Sequence, residues 1–202
     1  MIIIGLSGGI ATGKGVVAAC WAAMPGVVVV DADVVVHELY QPASPMVQVL
    51  IQAFGKDILT PAGGVDRKAL GAIVFGDEIQ RQRLNDIVHP AVRKRYVELS
   101  KQAQQQGAQV FVIEAALLLD GVPDPGFFHA IVTTEVEVSE QLRRLMERDR
   151  LSESEARRRI VAQLPQTERR KRADYVLDTS GTVAQTRLRA QRLMAQLRER
   201  FG

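Results

Sequence analysis

Short apolar runs separated by helix-length segments organise this chain. Ile2, Ile3 and Ile4 form a β-branched run that meets a glycine-rich segment, and Gly13 to Met24 then reads as a helix closed by Pro25-Gly26. Val27 to Val30 is a continuous apolar run of the kind that suits a strand buried on both faces, and it ends in Asp31-Ala32-Asp33. The pattern returns at Gln109 to Ile113, ending in Glu114, at Ala130 to Thr133 and at Tyr175 to Asp178. Five such strands with helical spacers predict an α/β fold, a five-stranded parallel sheet flanked by helices. Carboxylates at the ends of strands then lie where open α/β sheets bind ligands.

The stretch 41–106 breaks this rhythm, because no strand pattern occurs in it. It reads as helices: Pro45 to Phe54, a segment opened by the N-cap candidate Asp66, and a long one from Asp77 that is expected to be interrupted near His89-Pro90. Further on, Ser152 to Gln163 opens with a Ser-x-x-Glu capping box, Ser152 to Glu155, and continues into Arg157, Arg158 and Arg159 before Pro165 stops it. Thr182 to Arg200 is a closing helix with Leu193, Met194 and Leu197 on its buried stripe.

Composition adds bounds. With 202 residues, 47% hydrophobic and 24% charged, the chain is expected to form one compact unit. Its single cysteine, Cys20, excludes an intramolecular disulfide and fits core packing beside Trp21 in a reducing compartment. No signal-peptide pattern and no run approaching eighteen apolar residues is present, so a cytoplasmic location without membrane contact is expected. The net charge of +3 is unevenly spread: Leu142 to Arg172 holds eleven Lys/Arg against five Asp/Glu. Such a segment suits a solvated helical face, a nucleic acid or a phosphate-rich small substrate. At 5% aromatics and without a recognised nucleic-acid motif, the small substrate is preferred.

The decisive stretch is GLSGGIATGKGVV, Gly5 to Val17. Gly8, four residues, Gly13 and Lys14 match the phosphate-cradling loop of P-loop NTPases, set between a strand and a helix as that motif requires. Glycines let successive amides converge on a phosphate, the helix N-terminus adds positive potential, and the lysine reaches the outer phosphates. Gly8, Gly9, Ile10, Ala11, Thr12, Gly13, Lys14, Gly15 and Val16 are therefore the expected nucleotide contacts. After the lysine, Ser or Thr normally supplies a hydroxyl to Mg²⁺; here Gly15 and Val16 follow, and Thr12 is another hydroxyl within the loop.

For phosphoryl transfer, Asp33 is the expected acceptor-facing base, with capping of a helix from Val34 to Tyr40 as its structural alternative. Asp31 is either a support for metal-bound water or a structural strand-end carboxylate. Glu114 and Asp120 flank the run Ala115 to Leu119, and either could orient metal-bound water. Arg144 and Arg148, four apart, share a helix face and, with Arg157 to Arg159, could close over bound nucleotide. His89 is a substrate contact or a structural histidine, and the three histidines lack metal-ligand spacing.

Nearly the whole chain resembles the dephospho-CoA kinase family. Gly5 through Gly15 is similar to the family's Gly-Leu-Thr-Gly-Gly-Ile-Gly-Ser-Gly-Lys-Ser opening, and Asp31-Ala32-Asp33 to its Asp-Ala-Asp. Asp66-Arg67 with Leu70 and Phe75, Leu84-Asn85 and His89-Pro90 resemble its next elements in order. Arg144 to Asp149, then Arg159-Ile160 with Gln163, and Ala173-Asp174-Tyr175-Val176 resemble its closing ones. The resemblance implies a P-loop kinase fold and ATP-dependent, Mg²⁺-assisted phosphorylation of the ribose 3′-hydroxyl of dephospho-CoA. It implies Asp33, Lys14 and Arg144 as catalytic residues, and Asp33, Asp66, Arg67, His89 and Leu117 as acceptor contacts. Arg144 and Arg148 are expected to join the loop on ATP, and Asp31 and Glu114 are the candidate metal-side carboxylates. Within one kinase unit, 1–40, 107–140 and 170–202 would bind nucleotide, 41–106 the acceptor, and 141–169 would be the lid, in a monomer or weak homo-oligomer. Gly15 and Val16, Ala116, Glu114, Asp120 and Thr179 depart from the family pattern. A non-catalytic nucleotide- or CoA-binding homologue and a kinase for another small acceptor are the alternatives.

Overall fold

The computed structural model describes residues 1–119 and 126–202 and divides into two compact units, 1–31 with 103–202 and 32–102. The first unit holds the sheet. Strands β1 (Ile2–Gly8), β2 (Val27–Asp31), β3 (Val110–Glu114), β4 (Ala130–Glu135) and β5 (Tyr175–Asp178) are all parallel, in the order β2-β3-β1-β4-β5. Residues Ile2, Ile4 and Leu6 alternate onto one face in register with Val110 and Val112 of β3 and Ala130 and Val132 of β4. Helices α1 (Lys14–Ala22) and α9 (Val183–Phe201) cover that face with Val17, Trp21, Ala190, Met194 and Leu197. Trp21 is fully buried and its indole N–H donates to the Ala190 carbonyl at 2.8 Å, which satisfies the polar tip of the largest core side chain. β1 leaves the sheet towards β2 while its neighbour β4 leaves towards β5. Strand ends at such a reversal leave a crevice, and the glycine loop opens into it.

Three further helices follow β4: α6 (Val138–Asp149), α7 (Glu153–Val161) and α8 (Gln166–Arg172). The Ser152 capping box forms as expected, with Ser152 N–H donating to Glu155 Oε2 at 3.0 Å and Glu155 N–H to Ser152 Oγ at 3.4 Å. The sequence QTERRKR of α8 carries no apolar stripe, which is why its helix was not anticipated.

The second unit contains α2 (Ala32–Leu39), α3 (Pro45–Phe54), a 3-10 turn (Lys56–Ile58), α4 (Arg67–Val74) and most of α5 (Glu78–Gln105). Its own core gathers Tyr40, Met46, Val47, Leu50, Ile58, Val65, Leu70 and Val88. Two expectations are corrected here. Helix α5 runs unbroken through Pro90, because the apolar stripe Leu84, Ile87, Val88, Ala91 and Val92 continues across it and packs on this core. Asp33 does not cap a helix: α2 begins at Ala32, directly after β2, so Asp33 lies in its first turn. In addition β1 extends to Gly8, well past Ile4. No helix among the described residues is long and apolar enough to cross a membrane.

Candidate active site

The loop between β1 and α1 takes a shape that its glycines permit. A Cβ on Gly8 would overlap Thr134 Oγ1 and stand 2.8 Å from Thr12 Oγ1. Gly13 has φ 83°, and a Cβ there would meet the Thr179 side chain at 3.1 Å, so a larger residue would be strained twice over. Between them Ala11 holds φ 58°, a left-handed conformation unusual for a residue with a side chain. No acidic residue occupies the first turn of α1 and no side chain caps it, so its leading amides and positive dipole end are available to an anion.

Around this loop lies a cavity of about 1200 Å³. Every residue from Gly8 to Val16 lines it, and so do Glu114, Arg144, Arg148 and Thr179. Lys14 Nζ donates to Glu114 Oε1 at 2.5 Å, with both side chains mostly withdrawn from solvent. The register of β2 on β3 sets Asp31 beside Glu114, although the Asp31 residue is exposed. Arg144 donates from Nη2 to the Thr179 carbonyl at 3.0 Å and from Nε to Glu140 at 2.8 Å. Glu140 also accepts from Arg143, and the Arg143 and then Arg144 hydrogen bonds hold its carboxyl down at about 2. Arg148 is engaged with Asp149, whose carboxyl is lowered chiefly by that hydrogen bond and also by Arg159.

Two hydroxyl questions have opposite answers. The Thr12 hydroxyl is fully buried, 2.8 Å from the Gly9 carbonyl and 2.7 Å from Thr134 Oγ1, so it is turned away from a metal. Gly15 has nothing within 4 Å of where a Cβ would be, so the position usually filled by Ser or Thr is open space. Among the described residues no three His, Cys, Asp or Glu side chains gather as a metal cage. Asp31 and Glu114 on neighbouring strand ends still fit Mg²⁺, which is bound through one or two carboxylates plus substrate phosphates.

The other expected residues lie as follows. Arg157 pairs with Glu153 and Arg159 with Asp149, and Arg157, Arg158 and Arg159 are not among the residues that line the cavity. Leu117, 65% exposed in the turn after β3, is also off the cavity wall. Asp120 falls outside the described residues. Within the second unit, Asp66 caps α4 by accepting from the Lys68 and Ala69 amides at 2.8 and 3.1 Å. Arg67 begins α4, and its charge partly offsets the burial that raises the Tyr40 hydroxyl. His89 is exposed on α5, and Asp33 is exposed on α2.

Sequence reasoning missed Gln141 and Thr134 and saw no task for Thr179. The Thr179 hydroxyl donates to the Thr12 carbonyl at 2.7 Å, 167 residues away. No local pattern marks such partners.

A phosphate loop, a lysine, a flanking arginine and the strand-end carboxylate of Glu114 on one cavity are the parts of a phosphoryl-transfer site. A family model described as dephospho-CoA kinase matches residues 2–185. The dephospho-CoA kinase of Shouchella clausii is 41% identical over 186 residues, covering 91% of this chain and 92% of that protein. That of Corynebacterium glutamicum is 38% identical over 202 residues, covering 100% of both. The crystal structure of TT1252 from Thermus thermophilus aligns with a TM-score of 0.79 at 31% identity, covering 96% of each chain.

Proposed function

This chain belongs to the dephospho-CoA kinase family, and from that premise we propose that it transfers the γ-phosphoryl group of ATP to the ribose 3′-hydroxyl of dephospho-CoA, giving coenzyme A and ADP. The observation that supports this most directly is the uncapped N-terminus of α1 sharing one cavity with Lys14 and Arg144. Three sources of positive potential there converge on one space, as a triphosphate requires.

In this reading Gly8 to Val16 wrap the phosphates, with Lys14 on the outer ones. Arg144 and Arg148 neutralise charge that develops on the transferring group. Asp33 accepts the proton of the 3′-hydroxyl as its oxygen attacks phosphorus, and the bond to the ADP oxygen breaks. Asp66, Arg67, His89 and Leu117 contact the acceptor. Segment 41–106 serves acceptor binding and 141–169 acts as the lid over the nucleotide core. Asp31 and Glu114 would hold Mg²⁺, which supplies charge neutralisation on the phosphate oxygens. The enzyme works in the cytoplasm on small molecules, as a monomer or weak homo-oligomer.

The test is product identification by mass from ATP and Mg²⁺ with and without dephospho-CoA. Coenzyme A formed only in the complete mixture is the expected result. Nucleotide binding without any product would favour a non-catalytic binding homologue, a reading that rests on Gly15 and on the buried Thr12 hydroxyl.

A further inference from the structure

Ile10 is an apolar residue in the middle of a loop built for phosphate. Its backbone is held at both polar ends: the amide donates to Gln163 Oε1 at 2.7 Å, and the carbonyl accepts from Gln141 Nε2 at 2.8 Å. Gln141 is buried on α6, and its own oxygen accepts from Gln166 Nε2 at 3.4 Å. The Ile10 side chain and Ala11 pack on the small apolar cluster that joins α6 to α7, made by Leu142, Leu145, Ala156 and Ile160. The residue after Gln163 is tied down as well. The Leu164 carbonyl accepts from Arg169 Nε at 3.2 Å, and the same guanidinium donates to Ser7 Oγ at the end of β1 and to the Ala116 carbonyl, at 3.3 and 2.9 Å.

We propose that Gln163 is a positioning residue that fastens helix α7 to the apex of the phosphate loop through Ile10, so that loop and helix open together. Three contacts of different kinds meet at this one residue of the loop: an accepted hydrogen bond, a donated one, and apolar packing. A glutamine suits the task because its oxygen is a neutral acceptor and adds no charge against an incoming phosphate. If α7 moved alone with the turn that follows it and carries Gln163, the Ile10 amide would lose its acceptor in a partly buried site while its side chain lost contact with Ala156 and Ile160, so separate opening is disfavoured. The link is a property of the free protein and does not depend on which acceptor is phosphorylated.

Hydrogen–deuterium exchange on the free, full-length protein tests it, read in two segments, the loop 8–13 and helix α7. Gln163→Ala should raise exchange in both segments together, by roughly threefold to tenfold, the scale expected for loss of one hydrogen bond. Gln163→Asn, one methylene too short to reach the Ile10 amide, should behave in the same way. Gln163→Glu keeps an acceptor oxygen at full reach and should restore both segments. Faster exchange in α7 with an unchanged loop would overturn the proposal, because a merely structural glutamine would loosen only the helix that it follows. A Gln163→Glu protein that exchanges as fast as Gln163→Asn in both segments would overturn it too. That last comparison suffices even if the alanine variant does not fold.

Discussion

The Lys14 ammonium lies 2.5 Å from the Glu114 carboxylate, so the cation offered by the phosphate loop is balanced before any nucleotide arrives. A phosphate must draw the lysine away from this partner. Glu114→Gln should therefore tighten Mg²⁺-free ADP binding by roughly threefold to tenfold, because the competing charge is gone while the shape remains. Calorimetric titration measures this. Unchanged or weaker binding would mean that the glutamate presets the lysine rather than competing for it.

Gly15→Ser adds its side chain to space that is empty to 4 Å, at a position without positive φ. The fold should accept it with a stability change within about 0.5 kcal/mol. Mg²⁺-dependent nucleotide binding should tighten as the hydroxyl gains access to the metal. An unaltered metal requirement would show that another group already fills that role.

Gly13→Ala should behave in the opposite manner. The φ of 83° and the Thr179 side chain 3.1 Å from the new Cβ oppose it together. A loss of about 1–3 kcal/mol is expected in thermal or denaturant unfolding. A melting temperature equal to that of the parent protein would contradict the loop geometry.

Asp33→Asn removes the proposed base from an exposed place in the first turn of α2. Turnover should fall by roughly 10²–10⁴-fold with dephospho-CoA as acceptor. Stability should change by no more than about 1 kcal/mol, the scale of a carboxylate at a helix N-terminus. Retention of most of the activity would remove Asp33 from the mechanism.

Glu140 gives a pH signature. Its carboxyl is lowered from an ordinary 4.5 to about 2 by hydrogen bonds from Arg143 and Arg144. A depressed folded-state value means that its contribution to stability is present above pH 4.5 and is lost as the pH falls through about 2. Carboxyl NMR should place its titration midpoint well below that of an unpaired glutamate. A midpoint near 4.5 would show that the two arginines do not hold it in solution.

Local signals were sufficient wherever a few neighbouring residues decide the conformation. Short apolar runs marked all five strands, Asp66 marked the start of α4, and Pro45 to Phe54 and Tyr175 to Asp178 were found with their observed bounds. Gly8 and Gly13 likewise pointed to a loop that larger residues would strain, and Lys14 to its purpose. Pro90 misled, because its local tendency to end a helix was outweighed by an apolar stripe that continues beyond it into the core.

The sequence by itself determined the parallel α/β class, the phosphate loop and the family's order of motifs, since each is written in residues close together along the chain. Only the tertiary structure decided that Glu114 stands against Lys14, that Thr134 and Gly9 occupy the Thr12 hydroxyl, and that two glutamines hold Ile10. These partners lie about a hundred residues or more from the loop, apart from Gly9, and strand order and packing bring them together. Propensity acts over a turn or two, whereas burial and strand register choose which distant side chains meet.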